Sequence, residues 1–312
     1  MRSAQMKSYG GSDVVEINES TFVPNDPSSG KVLVKVKAAG INPIDWKIRE
    51  GYMKQMMSLQ LPATMGMDFS GIIEKVGEGV SDLKQGDEVY GQASVARGGT
   101  GAFAEMALAT ADTIAHKPRS LSHQEAAGLP LVGVSAWQAV VETIALTKGQ
   151  KILIHGGAGG IGSIAIQLAK NLGAQIATSV SKNDMQFVRE LGAGEIVDYK
   201  TQKFEGVLRD YDAVFDTVGG ETYARSFKVL KRGGIIVSML EQPNQELMAQ
   251  YGVKAYSQLT QVNKDRLTKL AQWVDQNSIR VNVDRTFPLE ETAKALDYQK
   301  EKHPRGKVVL AI

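Results

Sequence analysis

Cysteine is absent from this chain, and histidine occurs only 4 times. Without a thiol there is no disulfide, no thiolate metal site and no cysteine nucleophile. His116, His123, His155 and His303 are scattered without the spacing of metal ligands, so no metal is expected. A surplus of charge is missing too. The 36 Lys and Arg residues against 34 Asp and Glu leave a net charge of +2, no electrostatic footprint for nucleic acid or an anionic membrane. No run approaches the ~18 apolar residues of a membrane span, and Met1-Arg-Ser-Ala-Gln-Met-Lys7 lacks the apolar core of a signal peptide. A soluble, cytoplasmic protein without nucleic-acid or membrane partners is expected. Internal repeats and low-complexity blocks are also missing.

What is present is organised around Lys151-Ile-Leu-Ile-His-Gly-Gly-Ala-Gly-Gly-Ile-Gly162. Ile152, Leu153 and Ile154 read as a buried strand, and Gly157, Gly159 and Gly162 satisfy G-x-G-x-x-G where that strand turns into a helix. Ile161, Ile164, Ala165, Leu168 and Leu172 form one apolar helical face, stopped by Gly173. A helix N-terminus bared by glycines presents unpartnered N–H groups and the positive end of the dipole, a site for a pyrophosphate. Gly157, Ala158, Gly159, Gly160, Ile161 and Gly162 are therefore the first candidate contacts.

The 312 residues suffice for two domains. Residues 1–122 carry short strand-like runs punctuated by Gly and Pro; in 31–38, Val32, Val34 and Val36 alternate with Leu33, Lys35 and Lys37. Ser122-His-Gln-Glu125 is a capping box that opens a new segment, followed by a helical face from Val134 to Leu146. After the glycines come strand candidates at 175–180, 195–199, 213–218, 234–239 and 253–258, with helical patterns at 184–191 and 220–230. That alternation predicts a doubly wound parallel sheet with ligand at the carboxyl ends of its strands. In the tail, Asn263 caps a helix, a strand-like stretch runs from 279 to 287, and Lys307-Val-Val-Leu-Ala-Ile312 is a last strand. The reading is α/β, with a split domain of residues 1–122 and 259–312, a Rossmann domain of 123–258, and a ligand-holding cleft between them.

Ala-Ala-Gly-Ile-Asn42-Pro43-Ile-Asp45-Trp46-Lys47, Gly66-Met-Asp68-Phe-Ser-Gly71, Gly101-Ala-Phe-Ala-Glu105, Glu125-Ala-Ala-Gly-Leu-Pro130, Ala158-Gly-Gly-Ile-Gly162 and Arg305-Gly-Lys-Val-Val-Leu310 occur in that order. Together they resemble the zinc-free quinone oxidoreductase branch of the medium-chain dehydrogenase/reductase superfamily. The resemblance implies a β-rich GroES-like catalytic domain beside the Rossmann domain, NADPH as cofactor and a homodimer. Zinc members that the chain resembles place Cys near Asn42 and a His-Glu pair where Met67-Asp68 stands; neither soft ligand survives here. Without a Lewis acid the substrate must already be electrophilic, which points to quinones and α,β-unsaturated carbonyls. The alternatives are an enone or alkenal double-bond reductase with little quinone activity, and a protein that binds NADPH without turnover.

In the resembling family the segment holding Asn42 and Lys47 lines the nicotinamide site. Asn42 is then a candidate for holding the nicotinamide ribose or the substrate oxygen. Lys47 is a candidate donor to the developing enolate or quinol oxygen, directly or through the ribose hydroxyl. The Asp-Trp-Lys variant is associated with enone and alkenal reductases, many quinone oxidoreductases carrying Tyr instead.

The cofactor can also be read at 175–183. An NAD enzyme would end this strand in Asp or Glu; here it ends in Ser181-Lys182-Asn183, hydroxyl and cation that suit a 2′-phosphate. Asp184 lies one step too far and reads as the next helix's first turn. Ser179, Ser181, Lys182 and Tyr199 are the candidate phosphate and adenosine contacts, with Ser135 and Lys307 as further cofactor candidates. Met53, Met56, Met57, Met65 and Met67 could form an apolar substrate wall.

Overall fold

The structure, a computed structural model, describes residues 1–22, 26–277 and 279–312. The chain divides into two compact units, Met1–Leu131 with Val262–Ile312, and Val132–Gln261. The first boundary lies nine residues beyond the expected 122/123 and the second three beyond 258/259.

In the first unit the strands are β1 (Ser3–Met6), β2 (Val15–Asn18), β3 (Lys31–Ile41), β4 (Ala63–Thr64), β5 (Asp68–Val76), β6 (Glu88–Gln92), β7 (Met106–Thr110) and β8 (Ile114–His116). The second unit supplies β9 (Lys151–His155), β10 (Gln175–Val180), β11 (Glu195–Asp198), β12 (Tyr211–Asp216), β13 (Leu230–Ser238) and β14 (Lys254–Ser257). The chain ends on β15 (Val283–Pro288) and β16 (Lys307–Ala311), which belong to the first unit.

The main sheet of the first unit has the order β15-β16-β3-β5-β6-β8, with β7 paired to one end of β3. The last strand closes it: β16 runs antiparallel to β3, with Val308 opposite Ile41 and Leu310 opposite Ala39. Alternation in β3 puts Val32, Val34 and Val36 into the core, while Lys35 is exposed; Leu33 is buried as well. Phe69, Phe103, Met6 and Leu296 complete that core. Pro43 sits in the first turn of the helix α1 (Pro43–Arg49), where a missing N–H costs nothing. Arg49 holds α1 in place: only 1% exposed, it donates to Asp297 at 2.8 Å and to Glu50 at 2.9 Å.

The second unit is a parallel sheet in the order β11-β10-β9-β12-β13-β14. Counting from β9 this is the Rossmann order, reversing direction beside the first strand. Ile152, Leu153 and Ile154 are fully buried, and Leu153, Val214 and Ile236 share a core with Tyr223 and Phe227. The helix expected from Val134 begins earlier, at Pro130, and after Trp137 its hydrogen bonding changes to a π-helix over Gln138–Thr143. Among the described residues no helix is long and apolar enough to cross a membrane.

Candidate active site

Strand β9 runs into the helix Gly160–Asn171, whose N-cap is Gly159 and carries no side-chain cap. Ser163 N is the first amide of this helix bonded back along it, to Gly159 O at 3.0 Å, so the amides of Gly160, Ile161 and Gly162 face outward for a ligand. The glycines differ in purpose. A Cβ on Gly157 would lie 2.0 Å from Thr178 Oγ1, and one on Gly162 2.3 Å from Gly156 O, so these positions permit strand–helix packing. At Gly159 the nearest atom would be 3.4 Å away, ordinary contact. Ala158, Gly159, Gly160 and Ile161 are half-buried, which leaves the terminus open. An uncapped helix N-terminus beside glycine backbone fits the pyrophosphate of a dinucleotide.

At the end of β10 the structure rearranges the expected phosphate contacts. Ser179 is 6% exposed and its hydroxyl lies 2.7 Å from Nδ1 of His155. His155 Nε2 lies 3.0 Å from Ser226 Oγ, which itself donates to Thr222 O at 2.6 Å. The directions follow: Ser226 has given its only hydrogen to a carbonyl, so Nε2–H donates to Ser226 and Nδ1 accepts from Ser179. Ser179 therefore has no hydrogen left for a phosphate, a correction to the sequence reading. Burial, with the Arg225 charge adding to it, pushes the His155 imidazole down to about 3, so it is neutral. Ser181 Oγ donates to Asp184 at 2.6 Å, so that hydroxyl too is engaged, by a carboxylate expected to lie too far along. Lys182 is exposed and Tyr199 is 59% exposed, so of the four candidates at this end of the sheet these two remain accessible. Ser135 is fully buried and bonded to Thr260 Oγ1 at 2.6 Å, which makes it a clamp on the segment leaving β14.

In the first unit a buried polar network surrounds the start of α1. Asn42 is completely enclosed; its Nδ2 donates to Asp68 Oδ2 at 2.9 Å, and its Oδ1 accepts from Lys307 Nζ, which also donates to Ile41 O at 2.6 Å. Asp68 receives further bonds from Gln92 at 2.7 Å and from the Leu131 amide at 3.0 Å. Burial raises the Asp68 carboxyl against the opposing pull of Lys307, and lowers the Lys307 ammonium against the pull of Asp68. Two expectations are revised here. The Asn42 amide is engaged by its neighbours rather than left for a ribose, and Lys307, 3% exposed and expected as a cofactor contact, has its ammonium engaged with Asn42 and Ile41.

Lys47 is the free group of this region. It is half-buried, with Nζ 5.7 Å from the centroid of the Trp46 ring, and no hydrogen bond or ion pair holds it among the described residues. Asp45 was missed by sequence reasoning. It accepts the Asn42 amide at 2.7 Å through Oδ2, while Oδ1 is buried without a partner among the described residues. Burial, reinforced by the charge of Asp68, pushes its carboxyl up to about 7. Asp45 borders a cavity of about 30 Å³ lined also by Met57, Leu59, Met65 and Met67, so three of the five methionines singled out line one small cavity. Met56, 80% exposed, does not.

Residues 28–119 match the alcohol dehydrogenase GroES-like domain, and residues 191–310 match the zinc-binding dehydrogenase domain. The NADPH-dependent alkenal/one oxidoreductase of Arabidopsis thaliana chloroplasts is 35% identical over 318 residues, 99% of this chain and 79% of that protein. Among solved structures, the quinone oxidoreductase of Coxiella burnetii superposes with a TM-score of 0.90 at 33% identity, covering 100% of this chain and 99% of that one. The Escherichia coli quinone oxidoreductase complexed with NADPH gives 0.88 at 27% identity, with both chains fully covered. The chain belongs to the quinone oxidoreductase-like family of medium-chain dehydrogenases/reductases, an α/β protein with a Rossmann domain and a GroES-like domain.

Proposed function

We propose that this protein is an NADPH-dependent reductase that delivers hydride to quinones or α,β-unsaturated carbonyls without zinc. The helix terminus at Gly160, with Gly157 and Gly159 before it, binds the pyrophosphate; Lys182 and Tyr199 bind the phosphorylated adenosine end. When bound, NADPH supplies the hydride. This chain's part is to hold it, to accept the substrate and to manage the charge left on oxygen.

One observation carries the metal-independent part. Where zinc relatives place a thiolate stands Asn42, its amide oxygen already occupied by the ammonium of Lys307. A buried cation on that oxygen opposes a second cation there. The acid must then be a hydrogen-bond donor, and the free ammonium of Lys47 fills that role for a developing enolate or quinol oxygen. The apolar side chains of Met57, Met65 and Met67 suit the hydrocarbon part of such substrates. A cytoplasmic homodimer completes the proposal. The dimer is supported by the unpaired edge of β14, where Tyr256 is 45% exposed, and by Leu259 just beyond it at 78%.

NADPH consumption is measured with a para-quinone, a short enone, a long alkenal and a saturated aldehyde, with NADH in parallel and a chelator in a second series. Turnover of quinone or enone, none of the saturated aldehyde, and indifference to chelator support the proposal. Reaction with the saturated aldehyde alone would sink it.

A further inference from the structure

The carboxyl ends of β12, β13 and β14 are tied together by polar side chains. Asp216 is fully buried; its Oδ1 accepts the amides of Val218 and Gly219, both at 3.0 Å, and its Oδ2 accepts Ser238 Oγ at 2.7 Å. Gln258, the residue just past β14, joins the same edge through its amide, which donates to Ser238 O at 2.8 Å. The residue is 9% exposed. Nε2 donates to Ser135 O at 2.9 Å, and this carbonyl partner fixes which end of the amide is which. Oε1 is therefore identified as an oxygen, and it is buried with no hydrogen-bond partner among the described residues.

An orphaned acceptor is uncommon in a protein interior, and this one lies where ligands of such sheets bind, beyond the carboxyl ends of the strands. With the pyrophosphate at the helix after β9 and the adenosine over β10 and β11, the other half of the dinucleotide belongs over β12, β13 and β14. Gln258 Oε1 can be satisfied only by a donor. On that half of the cofactor the nitrogen donor is the carboxamide NH2 of the nicotinamide.

We propose that Gln258 is a cofactor-positioning residue whose Oε1 accepts a hydrogen bond from the nicotinamide carboxamide of NADPH, fixing the ring's orientation. The assignment rests on the NADPH reading above. Ser135 is its support: by taking Nε2, the Ser135 carbonyl fixes the amide's orientation and leaves Oε1 as the acceptor to be satisfied. Reduced and oxidised cofactor share the carboxamide, so NADP+ tests the contact without any reaction.

Wild type and Gln258→Leu are titrated calorimetrically with NADP+ and with 3-acetylpyridine adenine dinucleotide phosphate, in which a methyl replaces the carboxamide NH2. Wild type is expected to bind NADP+ about tenfold more tightly than the analogue, the scale of one hydrogen bond. Gln258→Leu should lose about tenfold for NADP+ and little for the analogue, so that the discrimination vanishes. Equal affinities in wild type would overturn the proposal without any variant having to fold. A uniform loss for both dinucleotides in Gln258→Leu would overturn it as well, leaving Gln258 a structural brace. Failure of wild type to bind NADP+ would remove this proposal and the NADPH reading together, whereas binding without discrimination removes this one alone.

Discussion

Lys307 Nζ donates to Asn42 Oδ1, and the same amide donates from Nδ2 to Asp68 at 2.9 Å, so a neutral side chain stands between two buried charges. Neither charge reaches water, and each is tolerable only while the other is present. Lys307→Met should therefore cost about 3–5 kcal/mol in urea unfolding, because Asp68 is left uncompensated. Lys307→Met combined with Asp68→Asn should cost less than the sum of the two single changes. Strict additivity would show that the charges do not support one another.

The His155–Ser179 pair makes the opposite kind of statement, since it is built for a neutral ring. With the folded imidazole near 3 and an unfolded value near 6.5, the unfolded state binds more protons between those pH values. Stability contributed at this position is complete above about pH 6.5 and is lost as pH falls toward 3, at up to about 1.4 kcal/mol per pH unit. Asp45, raised to about 7, works in the other sense, its contribution falling as pH rises from about 4 to 7. Unfolding curves at pH 5 and pH 7 should show Asp45→Asn gaining more stability with rising pH than wild type does. His155→Asn should gain less. The same pH slope in all three proteins would contradict both assignments.

Lys182 is the cation left at the end of β10 once the hydroxyls of Ser179 and Ser181 are engaged. Lys182→Ala should raise KM for NADPH roughly five- to tenfold and leave KM for NADH unchanged, with the difference shrinking at high salt. Equal effects on the two cofactors would mean that the 2′-phosphate lies elsewhere.

Lys47 and Asn42 are five positions apart; the Asn42 amide is held by Asp68 and Lys307, whereas no hydrogen bond holds the Lys47 side chain among the described residues. Lys47→Ala should lower kcat about 100-fold with an enone while NADPH affinity, followed by nicotinamide fluorescence, stays within about twofold. A loss confined to KM would make Lys47 a binding group and not a proton source.

The elements with local signals were legible in the sequence. Strand β10 spans the residues expected for it, and Asn263 does cap its helix, accepting Arg266 N at 2.9 Å. Ser122 and Glu125 form their capping box, with Ser122 N donating to Glu125 at 2.8 Å. The helix Gln245–Tyr251 was missed because its apolar face, Leu247, Met248 and Tyr251 against the core, spans too few turns to read as a period; its other signal is Asn244, which accepts Leu247 N at 3.0 Å. The π-helix at Gln138–Thr143 breaks the 3.6-residue period on which the helical reading depends. Least legible was the polar network. Asn42 just past β3, Asp68 on β5 and Lys307 on β16 lie far apart in the chain, and they meet only once β3 is paired with β5 on one side and β16 on the other. Asp45 and Gln258 look like ordinary helix-start and loop residues until the burial of one unpaired oxygen in each is known.

Gly157 and Gly159 belong to one motif but should fail differently. An alanine methyl at 157 would meet Thr178 Oγ1 at 2.0 Å, and that hydroxyl is anchored on Ile154 O at 2.7 Å within paired strands. Gly157→Ala should thus lose about 1–3 kcal/mol of stability through overpacking, and NADPH binding with it. Gly159 has φ −75° and ψ 175°, a conformation open to alanine, and its methyl would meet nothing closer than 3.4 Å. Gly159→Ala should unfold within about 0.5 kcal/mol of wild type. Its methyl stands at the open helix terminus, where a pyrophosphate must approach the backbone closely, so NADPH affinity should fall at least tenfold. Unaltered affinity in a fully stable Gly159→Ala would place the pyrophosphate away from this terminus. Weakened binding with unaltered stability separates the ligand-facing glycine from the packing glycine.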